Sequence, residues 1–131
     1  MIGLDTNVVV RLLTNDDPEQ TARARRAIAT VEKAGEPILL DDVVLAETAW
    51  AMRTRYRARR AEIAAMAQSL IETPAFVFEN RDAVERALAL YLGSTADYAD
   101  CLIVAKNEAL GARSTWSFDE DLRILPATRL L

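Results

Sequence analysis

The sequence contains no histidine and only one cysteine, Cys101, among its 131 residues. Without histidine, the chain cannot carry Ser-His-Asp or Cys-His catalysis, nor cleave RNA through its 2′-hydroxyl with a histidine acid and base. Zinc sites built from imidazole and thiolate ligands are excluded as well. Any catalysis must therefore rest on carboxylates, hydroxyls, lysine, arginine, or a metal ion held by oxygen.

Long apolar runs and processing signals are also missing. No apolar stretch approaches the roughly 20 residues needed to cross a bilayer. The N-terminus lacks the basic and apolar segments of a signal peptide, and a lone cysteine forms no internal disulfide. We therefore expect a cytoplasmic protein with no membrane contact, and the length predicts a single domain over residues 1–131.

The formal net charge is −4, which does not indicate nonspecific coating of nucleic acid. The arginines are nevertheless clustered. Two interpretations of the main cluster stay open: phosphate contacts that position RNA, or a solvated helix end whose dipole arginine complements. Because the arginines nearly alternate, they spread over several helix faces, and only some can reach one RNA strand. The cluster consists of Arg53, Arg55, Arg57, Arg59 and Arg60.

Short apolar runs alternate with helical segments, which predicts a parallel sheet covered by helices. The predicted strands are residues 1–4, 38–40, 75–78 and 112–117, with a short edge strand at 123–125. The first predicted helix is capped by Thr6 or Asn7, and the others span residues 18–34, 42–57, 60–71, 81–92 and 95–110.

Two acids directly follow predicted strands. Asp5 comes after the first strand and Asp119 after the fourth. In open α/β sheets, ligands bind at the carboxyl ends of the strands. Asp119 has a second interpretation as a helix cap, because Ser117 and Glu120 have the capping-box spacing.

Three further acids lie in predicted helices. Glu47 shares an apolar helix face with Val43 and Trp50, so it is functional, buried against an arginine, or placed at the margin of that face. Asp100 precedes an apolar run and is also predicted to be buried. Asp97 lies on the same face one turn earlier, where capping of the helix from Ser94 explains it equally well.

We expect Asp5, Glu47, Asp100 and Asp119 to gather at one edge of the sheet. Crowded carboxylates repel each other, and a divalent cation relieves the repulsion. Oxygen ligands suit Mg²⁺ or Mn²⁺. A bound ion of this kind can polarise a phosphodiester and lower the pKa of bound water for in-line attack.

These acids, taken in order, resemble the motifs of PIN-domain ribonucleases, and specifically of VapC-type toxins from bacterial toxin–antitoxin pairs. Each motif is weak alone, but their order and spacing cover essentially the whole chain. The matching segments are Leu4-Asp5-Thr6-Asn7, Glu47, Asp97-Tyr98-Ala99-Asp100-Cys101-Leu102-Ile103 and Ser117-Phe118-Asp119.

The resemblance implies a three-layer α/β/α fold with a central, mostly parallel sheet of four to five strands. It implies a Mg²⁺- or Mn²⁺-dependent endoribonuclease that cuts structured RNA, often transfer or ribosomal RNA. It also implies a homodimer that a cognate antitoxin protein silences by filling the active-site groove.

The resemblance further assigns roles to individual residues. Asp5, Glu47 and Asp100 match the core metal-binding acids, Asp119 matches a more variable fourth acid, and Asp97 matches an accessory acid. Supporting positions are matched by Thr6, Asn7 and Ser117. Cys101 stands where relatives usually have alanine, a modest change that we do not expect to affect activity.

Two other functions fit parts of the sequence. A phosphoacceptor receiver domain needs a lysine at a late strand end, whereas Lys33 and Lys106, the two lysines, fall inside predicted helices. A catalytically inactive PIN-like scaffold that binds RNA or protein is opposed by the full set of acids. Aromatic residues able to stack bases have a spacing that favours the core instead; they are Trp50, Tyr56 and Trp116.

Overall fold

Five short strands form two parallel sheets. The computed structural model describes all residues from Met1 to Leu131, and these fold as two compact units, Met1–Glu79 and Asn80–Leu131. Unit 1 holds a three-stranded sheet and unit 2 a two-stranded one. The predicted α/β class with parallel strands is confirmed. No helix combines the length and apolar character needed to span a bilayer.

Unit 1 alternates strands with helices around its central strand, β2. Ile38 and Leu40 of β2 are fully buried, as expected for a strand with hydrogen-bonded neighbours on both sides and helices in the same unit. Ile38 lies in register with Ile2 on one side and Phe76 on the other. The elements are β1 (Ile2–Gly3), α1 (Thr6–Thr14), α2 (Pro18–Lys33), β2 (Ile38–Leu40), α3 (Asp42–Thr54), α4 (Arg60–Glu72) and β3 (Phe76–Phe78).

Aspartates cap the first three helices. Asp17 and Asp41 cap α2 and α3, each accepting a hydrogen bond from the backbone amide three residues on. The predicted cap of α1 is wrong by one or two residues. Asp5, not Thr6 or Asn7, is the cap, and its Oδ1 accepts from the Val8 amide at 3.1 Å. The helix therefore starts as close to β1 as the chain allows.

Helix α3 ends three residues earlier than predicted, at Thr54. Arg57 has a left-handed backbone, φ 52°, which a continuing α-helix does not allow. The buried residues of α3 follow the helical repeat and include Val44, Leu45 and Met52. This stripe fixes which face of α3 is left for solvent.

Unit 2 pairs two helices through apolar side chains. The rings of Tyr91 and Tyr98 meet edge to face at 5.9 Å, and Cys101 is fully buried, with its Sγ 4.0 Å from Ser94 Oγ. The elements are α5 (Arg81–Leu92), α6 (Tyr98–Ala109), β4 (Thr115–Ser117), a 3₁₀ helix (Glu120–Ile124) and β5 (Thr128–Leu130).

Three predictions in unit 2 are wrong. Strand β4 begins at Thr115, three residues later than predicted. Helix α6 starts at Tyr98, not Thr95, because Ser94 Oγ accepts from the Ala96 amide in a turn and leaves the predicted capping box unformed. Residues 123–125 are not a strand. They complete the 3₁₀ helix, and the last strand begins only after Pro126, at Thr128.

Candidate active site

The start of α1 and the middle of α3 bring two carboxylates together in unit 1. Asp5 caps α1, and the next residue, Thr6, donates a hydrogen bond from Oγ1 to Glu47 Oε1 at 3.0 Å. Each carboxylate uses one oxygen in these bonds. Asp5, Thr6 and Glu47 therefore form a linked group with oxygen donors to spare.

The predicted burial of Glu47 is wrong. Glu47 is exposed, and so are its neighbours on the same helix face, Val43 at 65% and Trp50 at 59%. Nearly every residue of α3 before Arg53 is apolar or small, so the pattern alone does not select the buried face. The packing of Val44 and Met52 selects it instead.

A cavity of about 340 Å³ contains this pair of acids. Its chemistry is mixed, with two carboxylates, a hydroxyl, an amide, an indole and a guanidinium. Mg²⁺ is bound in proteins by one or two carboxylates together with water and substrate phosphates, so the oxygen donors here fit such an ion. Neither unit holds a cluster of three acids arranged as a metal site. The lining residues are Asp5, Thr6, Asn7, Val10, Glu47, Trp50, Ala51 and Arg55.

The other two helical acids of the predicted site belong to the first turn of α6, in unit 2. Asp97 is the N-cap residue, but its side chain makes no capping hydrogen bond, so the capping explanation for this acid is wrong. Asp100 lies three residues further on, and both residues are half-buried. Their neighbours Tyr98 and Cys101 are buried and fix the start of the helix.

Asp119 follows β4, and the capping explanation holds for it. Its Oδ1 accepts from the Asp121 amide at 2.9 Å, and Ser117 Oγ accepts from the Asp119 amide at 2.9 Å. Ser117 thus orients Asp119, as a supporting hydroxyl would. The cap uses one carboxylate oxygen of the exposed Asp119.

The five clustered arginines separate into different environments. Arg55, the C-cap of α3, lines the cavity with Asp5 and Glu47. Arg59 pairs with Glu62 at 2.9 Å at the start of α4. Arg53, Arg57 and Arg60 are exposed, so the expectation that only some of the cluster reaches one RNA strand stays a prediction, with Arg55 the best placed.

A polar network that the sequence did not suggest supports this end of α3. The Tyr56 hydroxyl donates to Asp16 Oδ2, and Thr14 Oγ1 and Arg11 Nη1 each donate to Asp16 Oδ1 at 3.1 Å. The Tyr56 hydrogen bond is the main reason that the pKa of Asp16 is lowered, with Thr14 and Arg11 adding to it and burial opposing it. Tyr56 thereby ties the end of α3 to the turn between α1 and α2.

Comparison with known proteins identifies the fold family. The family model of the PIN domain matches residues 2–127. The chain belongs to the PIN domain family. It is also similar to a VapC ribonuclease of Aquifex aeolicus (strain VF5), with 22% identity over 115 residues that cover 88% of this chain and 84% of that protein. The resemblance drawn from the motifs is confirmed.

The family match agrees with the motifs and the fold class that the sequence predicted. The segments that carried the resemblance all lie inside the matched range, from Leu4 to Asp119. The α/β/α class expected for a PIN domain agrees with six helices and parallel sheets. Cys101, a departure from the usual alanine, fits as a fully buried side chain.

Proposed function

We propose that this PIN domain protein is a Mg²⁺- or Mn²⁺-dependent endoribonuclease. The observation that carries the proposal is the cavity in which Asp5 and Glu47 lie together, joined through Thr6, in a member of this family. Asp5, Glu47 and Asp100 are the proposed metal ligands, with Asp119 and Asp97 assisting. Metal chemistry of this kind is among the routes that remain open to a chain without histidine.

The protein's own residues have distinct parts in this proposal. A bound divalent ion supplies Lewis-acid activation of the phosphodiester and a water of lowered pKa. Thr6 holds one oxygen of Glu47 and leaves the other for ligation, while the α1 cap holds Asp5 in the same way. Arg55 lies where it can contact a neighbouring phosphate.

Cleavage of total RNA by the purified protein tests the proposal directly. We expect discrete fragments with Mg²⁺ or Mn²⁺, none with EDTA, and loss of at least about 100-fold in rate in Asp5→Asn, Glu47→Gln and Asp100→Asn, the scale on which catalytic acids contribute. Asp121→Asn is the matched control. Asp121 is exposed, and it contacts Asp119 through its backbone amide, which the substitution keeps. Fragments that persist in the three variants would contradict the site assignment.

A negative result has a defined meaning. If the protein binds Mg²⁺ in a calorimetric titration yet cleaves neither total RNA nor purified transfer and ribosomal RNA, the inactive-scaffold function replaces the nuclease. If it neither binds the ion nor cleaves, the metal ligands are wrongly assigned.

We further propose that the nuclease acts in the cytoplasm as the toxin of a type II toxin–antitoxin pair, as a homodimer silenced by a cognate antitoxin. The similarity to a VapC ribonuclease supports this role. Induced expression should arrest growth, and co-expression of the product of the adjacent open reading frame should relieve the arrest and co-purify. Sedimentation of the free protein at the mass of one chain, 14.5 kDa, would contradict the homodimer.

A further inference from the structure

Trp50 is an exposed indole where a core residue was expected. Its side chain is 59% exposed, whereas the next residue, Ala51, is 5% exposed and Met52 is 1% exposed. The other tryptophan, Trp116, is also exposed but is covered by the guanidinium of Arg129, 5.2 Å from the ring centroid. No such cation–π partner covers Trp50. The ring of Trp50 is therefore open to contact by a ligand, and its place in the cavity with Asp5 and Glu47 gives that exposure its interest.

The surroundings of Trp50 indicate which ligand. It lines the same cavity as Asp5 and Glu47, three residues after Glu47 on α3, and Arg55 lines the cavity from the C-terminal end of that helix. Sites for single-stranded nucleic acid combine aromatic rings that stack bases with cations that contact the backbone. The core of a protein interface is depleted of charged residues, whereas this cavity is lined by Asp5, Glu47 and Arg55, which favours RNA as the partner of the indole.

The backbone at Arg55 is held by hydrogen bonds at the end of α3. Its amide closes α3 on the carbonyl of Ala51, and the neighbouring Tyr56 is held by its bond to Asp16. The guanidinium and the indole therefore extend from a stretch of backbone that these bonds hold in place. Such pre-organisation reduces the entropy lost when a flexible strand binds.

We propose that Trp50 stacks an unpaired RNA base beside the proposed metal ligands Asp5 and Glu47, with Arg55 contacting a neighbouring phosphate. This inference rests on the proposed nuclease function and refines it. It makes Trp50 a specificity residue that selects RNA with an unpaired base next to the cut, since a base within a duplex has no free face to offer.

Binding experiments test the stacking without depending on cleavage. The probes are a ten-nucleotide oligoadenylate and an abasic strand of the same length and charge, in Mg²⁺ buffer, with intact strands confirmed on a gel afterwards. The chain has two tryptophans, so Trp116→Phe leaves Trp50 as the one reporter. We expect oligoadenylate to quench its fluorescence and the abasic strand to leave it nearly unchanged.

Affinities of the substituted proteins separate stacking from charge. Trp50→Ala should weaken oligoadenylate binding by about 5- to 150-fold, the equivalent of about 1–3 kcal/mol per stacked base, and leave abasic binding unchanged. Trp50→Phe keeps a ring and should recover most of the loss. Val43→Ala, which trims an equally exposed side chain two turns away on the same face, should bind like wild type.

Several outcomes would overturn the proposal. Equal losses of Trp50→Ala toward both strands, or no loss toward either, would remove the stacking role. A change in sedimentation mass without a change in RNA affinity would assign Trp50 to a protein interface. Quenching without any RNA cleavage would support the stacking role and reject the nuclease function. Cleavage with an unchanged kcat/KM in Trp50→Ala would support the nuclease function and reject the stacking role.

Discussion

Thr6 connects the start of α1 with the middle of α3. It follows the cap residue Asp5, and its Oγ1 donates a hydrogen bond to Glu47 Oε1 at 3.0 Å. We expect Thr6→Val, which replaces the hydroxyl with a methyl group, to leave Glu47 unoriented. Residues that orient metal ligands typically contribute about 10- to 100-fold in metal affinity. The half-maximal Mg²⁺ concentration for RNA cleavage should rise by roughly this factor, and the rate at saturating Mg²⁺ should change little.

Thr6→Ser is the matched control for this prediction. It keeps the donor and removes the methyl group, so its Mg²⁺ titration should overlay that of the wild type. Equal titrations for all three proteins would show that Thr6 does not orient Glu47.

The carboxylate of Asp16 provides a prediction about pH. Its pKa in the folded protein is lowered from the ordinary value of 3.8, mainly by the Tyr56 hydroxyl. The stabilisation is therefore complete above about pH 4 and is lost as the pH falls from there through the folded-state pKa. We expect Tyr56→Phe to lower the melting temperature at pH 7, and this deficit to shrink below pH 4.

Melting curves of wild type and Tyr56→Phe between pH 3 and pH 8 measure that deficit. Asp16→Asn should lose at least as much, because it also removes the ion pair with Arg11, and adding Tyr56→Phe to it should have little further effect. A deficit that stays constant down to pH 3 would mean that the Tyr56 hydroxyl acts on something other than the Asp16 carboxylate.

At the scale of one element, α3 carries both Glu47 and Trp50, and its start depends on Asp41. Asp41 accepts a hydrogen bond from the Val44 amide at 2.9 Å. We expect Asp41→Ala to lower the free energy of unfolding by about 0.5–2 kcal/mol, the usual contribution of an N-cap. Asp41→Asn, which caps nearly as well, should lose much less in urea unfolding; equal losses would assign the effect to charge rather than to the cap.

Elements with one strong signal were predicted well. Pro18 fits the first turn of a helix and Gly93 fits a helix end, and the predicted bounds of α2 and α5 lie within one residue of those observed. Prediction failed where several signals competed. Ser94, Thr95 and Asp97 are all acceptable caps, and the sequence does not show that Ser94 Oγ accepts from the Ala96 amide in a turn, so that α6 starts only after Asp97.

The candidate site was predicted as a set of residues rather than as an arrangement. Asp5 and Glu47 do share a cavity, yet the reason given for Glu47, burial on an apolar face, was wrong. The apolar residues of α3 lie on several sides of the helix, so the sequence pattern does not select which side is buried. Only the packing of Val44 and Met52 decides which side faces solvent, and the exposed indole of Trp50 follows from the same rotation.

For the molecule as a whole, the proposed metal ion links binding to stability. A ligand present at 100 times its Kd stabilises the folded state by about 2.7 kcal/mol. We expect Mg²⁺ to raise the melting temperature of EDTA-treated protein by several degrees, with NaCl of equal ionic strength as the control. Asp100→Asn should lose most of the shift and Asp121→Asn should keep it; equal shifts would argue against Asp100 as a ligand.

The single thiol of the molecule is fully enclosed beside the first turn of α6. A disulfide reagent added to the native protein can therefore react with it only during the moments when unit 2 opens. The rate at which the coloured product of the reagent forms therefore measures the rate of that opening, without any introduced label. Cys101 follows Asp100 directly in the sequence. An ion bound at Asp100 should therefore slow the modification of the thiol when Mg²⁺ is added.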